Sequence, residues 1–204
     1  MKGKRHQMLE GWNLYHKSAV FALWGMGALA VARAVIAIDG GTYEVTATRT
    51  VAASPEAVWP WITKAENRTR WQAKLVDMSP LMGDPGEVDS TRMLFWRDRH
   101  HHWTAIEATR EVLPGRLYRT VQQSDADTRI QRIDLVPGGE CQTEIMVTEQ
   151  IRPSSYTERV MSFLVSGDDE ERLEVSLEAL DRWLRDSGAG CAAPAGEAQK
   201  GSTS

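Results

Sequence analysis

Apolar and polar side chains alternate with a period of two from Tyr43 to Val51. Tyr43, Val45, Ala47 and Val51 fall on one side, and Glu44, Thr46, Thr48 and Thr50 on the other. That is the pattern of a half-buried strand. Ser54-Pro55-Glu56 then gives a helix start, with serine as N-cap and proline at the first helical position, and Ala57 to Thr63 continue it. Pro60 removes a backbone donor inside that run, so the spacing predicts a short or kinked helix. A second short helix is predicted over Ala65 to Gln72. Beyond it lie six extended segments: Leu75 to Met82, Ser90 to Arg97, Trp103 to Leu113, Arg116 to Gln122, Thr128 to Val136 and Cys141 to Arg152. Their joints, "GDPGE", "DRHHH", "LPGR", "SDAD" and "PGGE", are turn chemistry short enough for antiparallel hairpins.

Helical spacing returns near the C-terminus. Leu173, Leu177, Leu180 and Leu184 recur at i, i+4, i+7 and i+11 and form one apolar stripe. Gly167-Asp168-Asp169 interrupts the pattern, which predicts two helical pieces, the second capped by an aspartate. From Gly188 the chain is rich in Gly, Ala and Ser, a composition that predicts a disordered tail over 188–204. The globular part is expected over residues 43–187.

The N-terminal residues, 1–42, form a different kind of segment. A stretch from Ser18 to Ile38 holds one charge, Arg33, behind a basic leader. Such a length of helix can cross a bilayer core, and Arg33 near its end can snorkel to the interface. Ala30-Val31-Ala32 and Ala32-Arg33-Ala34 equally have the small-x-small form of a signal-peptidase site. Anchor and cleaved signal both stay open. Either way the basic leader stays cytoplasmic, so the domain is expected to be extracytoplasmic, tethered through residues 18–38 or exported to the periplasm.

Charge narrows the partners. Residues 43–187 carry 18 basic and 25 acidic side chains, within a chain of 204 residues and net charge -4. An acidic domain with dispersed arginines lacks the basic stripe that a phosphate backbone requires, so nucleic acid is not an expected partner. Two cysteines, Cys141 and Cys191, make no CxxC-type metal site and read as two inert thiols.

No nucleophile with its base, nucleotide loop or metal constellation stands out, so no catalytic residue, metal or cofactor is assigned. His100, His101 and His102 sit at a hairpin among charged residues and read as a solvated turn. Arg97, Glu107, Arg119 and Glu149 alternate with apolar strand residues. One or two of them facing inward would need a partner, but an ordinary edge ion pair is the preferred reading.

Strand, two small helices, six antiparallel strands and a long amphipathic helix together resemble the helix-grip fold, an α+β architecture in which a curved antiparallel sheet wraps a C-terminal helix. The stretch "TRTVAASPEAVWPWITKAENRTRWQ", the "EVLPGRLYR" hairpin and the ending "LEALDRWLRD" are similar to the polyketide cyclase/dehydrase and lipid-transport family of the START/Bet v 1-like (SRPBCC) superfamily. The resemblance implies a cavity between sheet and helix that takes a lipophilic molecule, and it places Trp71 near the cavity rim. Met93, Phe95, Trp103, Ile145 and Val147 are chosen as the lining, although a one-residue slip exchanges strand faces. Val58, Trp59 and Ile62 are expected to pack inward. The expected function is binding of a hydrophobic small molecule, a lipid or quinone-like compound, at or near a membrane. A cyclase or dehydratase using the same cavity and a ligand-free protein-interaction module are the alternatives. Oligomeric state is open.

Overall fold

The computed structural model describes residues 20–28, 31, 41–99, 101–139 and 141–190, without the side chains of 156–157 and 160–166. It divides into two units, Met1–Gly41 and Thr42–Ser204. In the first, residues 20–28 and 31 are helical. Phe21, Leu23, Trp24 and Met26 are exposed there. Among the described residues no helix is long and apolar enough to cross a membrane. Much of the expected span 18–38, with most of the small-x-small region, lies outside the described residues.

The second unit runs β1 (Tyr43–Val51), α1 (Pro55–Thr63), α2 (Ala65–Trp71), β2 (Leu75–Met82), β3 (Thr91–Asp98), β4 (His101–Leu113), β5 (Leu117–Gln123), β6 (Asp127–Gly139), β7 (Gln142–Pro153) and α3 (Tyr156–Asp186). The seven strands form one antiparallel sheet in the order β1-β7-β6-β5-β4-β3-β2. Consecutive hairpins build β2 to β7, and β1 closes onto β7 across the two small helices. With α3 packed on the sheet's inner face, this is the helix-grip fold that the element order predicts.

Period-two burial explains the sheet. In β1, Val45, Ala47 and Val51 are buried while Glu44, Thr46, Thr48 and Thr50 are exposed. With Ile133, Leu135, Ile145 and Val147 they meet Leu173, Leu177, Leu180 and Leu184 of α3 in one core. Burial of such side chains is worth about 1.5–3 kcal/mol each.

The tryptophans of α1 and α2 knit the helices together. The Trp71 indole Nε1 donates to the Trp61 carbonyl at 2.7 Å. Trp183 of α3 packs on Trp61 at 6.2 Å and donates to the Arg70 carbonyl. Val58 and Ile62 are fully buried, as expected, whereas Trp59 is half-buried and packs edge-on against Tyr118.

Two expectations change. α3 is one continuous helix of 31 residues rather than two pieces. Its start is Ser155, not an aspartate near position 168, and Ser155 forms a capping box with Glu158. A helix tolerates one interior glycine at a cost of about 1 kcal/mol. Here Asp169 is tied to β1 and β6 by a hydrogen bond from Tyr43 and an ion pair with Arg129. The second change concerns cysteine: Cys141 is disulfide-bonded, not an inert thiol, and the chain holds one other cysteine, Cys191. At the end of α3, Gly190 N–H donates to the Leu184 carbonyl, and residues 191–204, most of the expected tail, lie outside the described residues.

The continuity of α3 is testable at Gly167, where an added Cβ meets nothing within 4 Å. Gly167→Ala is expected to raise stability by about 0.5–1 kcal/mol, read from urea denaturation. A loss of stability would instead indicate a break in the helix at this residue.

Candidate functional site

The inner face of the sheet has two halves. Toward one end it presents the aliphatic rows that α3 covers with leucine. Toward the other, one row crosses four strands in register as Arg92, Glu107, Gln122 and Arg129. The pleat puts these polar side chains on the same face as Leu94, Trp96, Trp103 and Ala105, because they share parity along β3 and β4.

Glu107 lies at the centre of that row and is fully buried. Its carboxylate accepts from Arg68 Nη1 at 2.8 Å and Nη2 at 3.0 Å, from Arg92 Nε at 2.6 Å, and from Gln122 Nε2 at 3.0 Å. Arg68, fully buried on α2, also donates to Gln72, and Arg92 donates to the Thr63 carbonyl and the Tyr118 hydroxyl. Burial alone would push the Glu107 carboxyl up. The adjacent Arg68 and Arg92 guanidiniums outweigh it and bring the group from 4.5 down to about 2.

A second ionic cluster joins β6, β7 and α3. Glu149, nearly fully buried, accepts from Gln131 Nε2 at 2.7 Å and pairs closely with Arg172. Asp169 accepts from Arg129 Nη1 at 2.8 Å and from the Tyr43 hydroxyl at 2.6 Å. Arg129 also donates to Asp127 at 2.8 Å. Burial would raise the Asp169 carboxyl, but Arg129 and the Tyr43 hydroxyl hold it below its usual range. Burial and the neighbouring Asp169 push the Tyr43 hydroxyl upward.

Where α3 exchanges its leucines for Asp169 and Arg172, helix and sheet do not interdigitate. A cavity of about 240 Å³ remains. Trp96 and Trp103 form its aromatic wall, their rings stacked at 6.1 Å and 5°. Gln122, Arg129, Glu149, Asp169 and Arg172 line it elsewhere. The site is thus half flat indole and half ion pairs already satisfied by one another.

Of the residues expected at the lining, Trp103 is there. Trp96 is its cross-strand partner. Met93 and Phe95 sit on the opposite face, in register with Ile106 and Thr104, and Phe95 borders a broader cleft with Val76 and His102 that also takes in Trp96, Trp103 and Arg129 of the cavity wall. Ile145, Val147 and Trp71 are buried in the main core and do not line the cavity. The six therefore do not converge. Glu107 and Glu149 face inward in buried networks rather than in edge pairs, while Arg97 and Arg119 are exposed. His101 and His102 are exposed on β4, with the His101 ring stacked 5.6 Å from Trp103, and His100 lies outside the described residues.

Sequence reasoning missed Trp96, Gln122, Arg129, Asp169 and Arg172. A signal for the first was present. Asp98 pairs with His101, so two residues connect β3 to β4, and such a hairpin places Trp96, not Phe95, beside Trp103.

The Glu107 cluster generates a pH prediction. Its folded-state pKa lies below the unfolded value, so its stabilisation is fully present above about pH 4.5 and is lost as pH falls toward 2. Urea midpoints are expected to fall over that window. Glu107→Ala, which strands two buried guanidiniums, is expected to cost about 3–5 kcal/mol at neutral pH. A loss under about 1 kcal/mol, the surface-pair range, would contradict the assignment.

Comparison with known proteins agrees with this architecture. A family described as polyketide cyclase / dehydrase and lipid transport matches residues 42–182. Among curated proteins no sequence matches significantly. Many solved structures share the fold. A protein from Thermus thermophilus superposes with a TM-score of 0.61 at 17% identity, over 71% of this chain and 99% of its own. The Zhui aromatase/cyclase from a Streptomyces species gives 0.59 at 14% identity, over 72% of this chain and 98% of its own. A START superfamily protein from Mycobacterium smegmatis gives 0.56 at 19% identity, over 71% and 98%. On the family match over most of its length, this chain belongs to the polyketide cyclase / dehydrase and lipid transport family.

Proposed function

We propose that the domain is a binding protein for a small hydrophobic molecule with a flat ring, held between sheet and α3 against Trp96 and Trp103. The observation that carries this reading is the stacked indole pair facing an ionic wall across an otherwise unfilled 240 Å³ space. Flat apolar surface beside a few fixed polar groups is the usual composition of a small-molecule pocket. This inner space suits a compact ring, and the broader cleft that shares Trp96 and Trp103 leaves room for the rest of a longer molecule.

Binding is favoured over catalysis by the state of the carboxylates. A general base needs a pKa near the working pH, whereas Asp169 is held low by Arg129 and the Tyr43 hydroxyl. The Glu149 oxygens are occupied by Gln131 and Arg172. The cyclase-like activity named for the Streptomyces protein therefore remains the second reading for this chain. An unfilled interior argues against a ligand-free interaction module.

We also place the domain outside the cytoplasm, beside a membrane. The apolar side chains exposed along 20–28 and the disulfide at Cys141 support this, since disulfides persist in oxidising compartments. Fractionation of tagged full-length chain is expected to recover it with membranes. A soluble, uncleaved chain would contradict the anchor, and a soluble, shortened one would support export.

Phenylnaphthylamine fluorescence tests the binding reading. The full-length chain is expected to bind this dye saturably at micromolar concentration. Trp103→Ala removes contact worth on the order of 1–3 kcal/mol, so it should weaken the dye by about fivefold or more. Met93→Ala, on the other face and clear of both clefts, should leave affinity within about twofold. No saturable binding, or equal loss in both variants, would sink the proposal.

A further inference from the structure

Gln122 carries information that the rest of the cavity does not. It is only 4% exposed, yet it lines the cavity. Its Nε2 donates to Glu107 Oε2 at 3.0 Å. An amide can be turned either way round in principle, but Glu107 decides the orientation. That carboxylate is clamped by the guanidiniums of Arg68 and Arg92 and stays ionised, so it only accepts. The amide must turn its NH2 toward Glu107, which leaves Oε1 for the cavity. Oε1 has no hydrogen-bond partner among the described residues. Unlike Gln131 Oε1, it is not sealed away from the empty space.

The other buried and half-buried acceptors on the wall are already engaged, and the remaining carboxylate of the lining, Asp168, is exposed to solvent. Glu149 accepts from Gln131 and Arg172, Asp169 from Arg129 and Tyr43, and Asp127 from Ser124 and Arg129. An amide oxygen with no protein partner loses free energy when an apolar ligand displaces the water beside it. A ligand that brings a donor avoids that loss. Sites built in this way reject analogues that lack the matching group.

We propose that Gln122 is the specificity-determining residue of this cavity, and that its ligand is a flat apolar compound bearing a hydroxyl or N–H donor, a phenol-type ring above all, seated on the Trp96–Trp103 stack. This rests on the cavity being the binding site. The Arg68–Glu107–Arg92 cluster is then a positioning device, acting on the ligand through the Gln122 amide.

The test compares two probes of one ring system, naphthol and methoxynaphthalene, which differ in the donor. Their affinities for purified full-length chain are measured by tryptophan quenching and calorimetry. Wild type is expected to prefer naphthol by about tenfold, one good hydrogen bond in a buried site. Gln122→Met keeps the volume and removes the amide. It should bring the two probes within about twofold by weakening naphthol and leaving methoxynaphthalene unchanged. Gln122→Leu is the second variant should the first fold poorly, with circular dichroism checking both. Equal affinities in wild type, or a preference that survives in a folded variant, would overturn the role of Gln122 while leaving the cavity as the binding site. If neither probe binds wild type, the cavity reading and this inference fall together.

Discussion

A carboxylate sealed from water in the middle of a sheet dictates much of what surrounds it. Glu107 would be untenable alone, since an isolated buried charge costs far more than one domain's net stability. It persists because Arg68 reaches it from α2 and Arg92 from the neighbouring strand, both at hydrogen-bond distance. That requirement fixes where α2 sits and gives a seven-residue helix a definite seat. It also draws Gln72, Thr120, Gln122 and Tyr118 into one network.

The same network divides the inner face. Leucines of α3 can cover the aliphatic rows but cannot close over arginine and glutamate, so the helix answers the polar half with Asp169 and Arg172. Side chains that must pair with one another do not fill space as leucine does, and small Ala105 leaves more room beside the indoles. The cavity is therefore a consequence of the boundary between two kinds of packing. Its aromatic wall and its polar wall come from the two sides of that boundary.

Strand and helix periodicity sufficed for the architecture. The alternation in β1, the proline-marked start of α1 and the leucine stripe of α3 all act locally, so their elements could be read along the chain. The unbroken course of α3 could not, because a tertiary tie at Asp169 and a cap at Ser155 outweigh the weak helix signal at Gly167. The site was harder for a related reason. Period-two reasoning leaves two faces to choose between, and the choice of Met93 and Phe95 took the outer one. Trp71 looked like rim aromatic surface, but its indole is spent on the Trp61 carbonyl inside the core. Arg129, Asp169 and Arg172 meet through long-range pairing of β6 with α3, which no local pattern announces.

Ligand is expected to enter beside the Trp96–Trp103 stack and nowhere else in the aromatic core. Indole N–H resonances of the isotope-labelled chain test this directly, because Trp71 and Trp183 donate to backbone carbonyls while no described residue accepts from Trp96 or Trp103. On titration with an apolar ring compound, the Trp96 and Trp103 signals should shift together and saturate, with Trp71 unmoved. A titration that moves Trp71 and leaves those two in place would contradict the account.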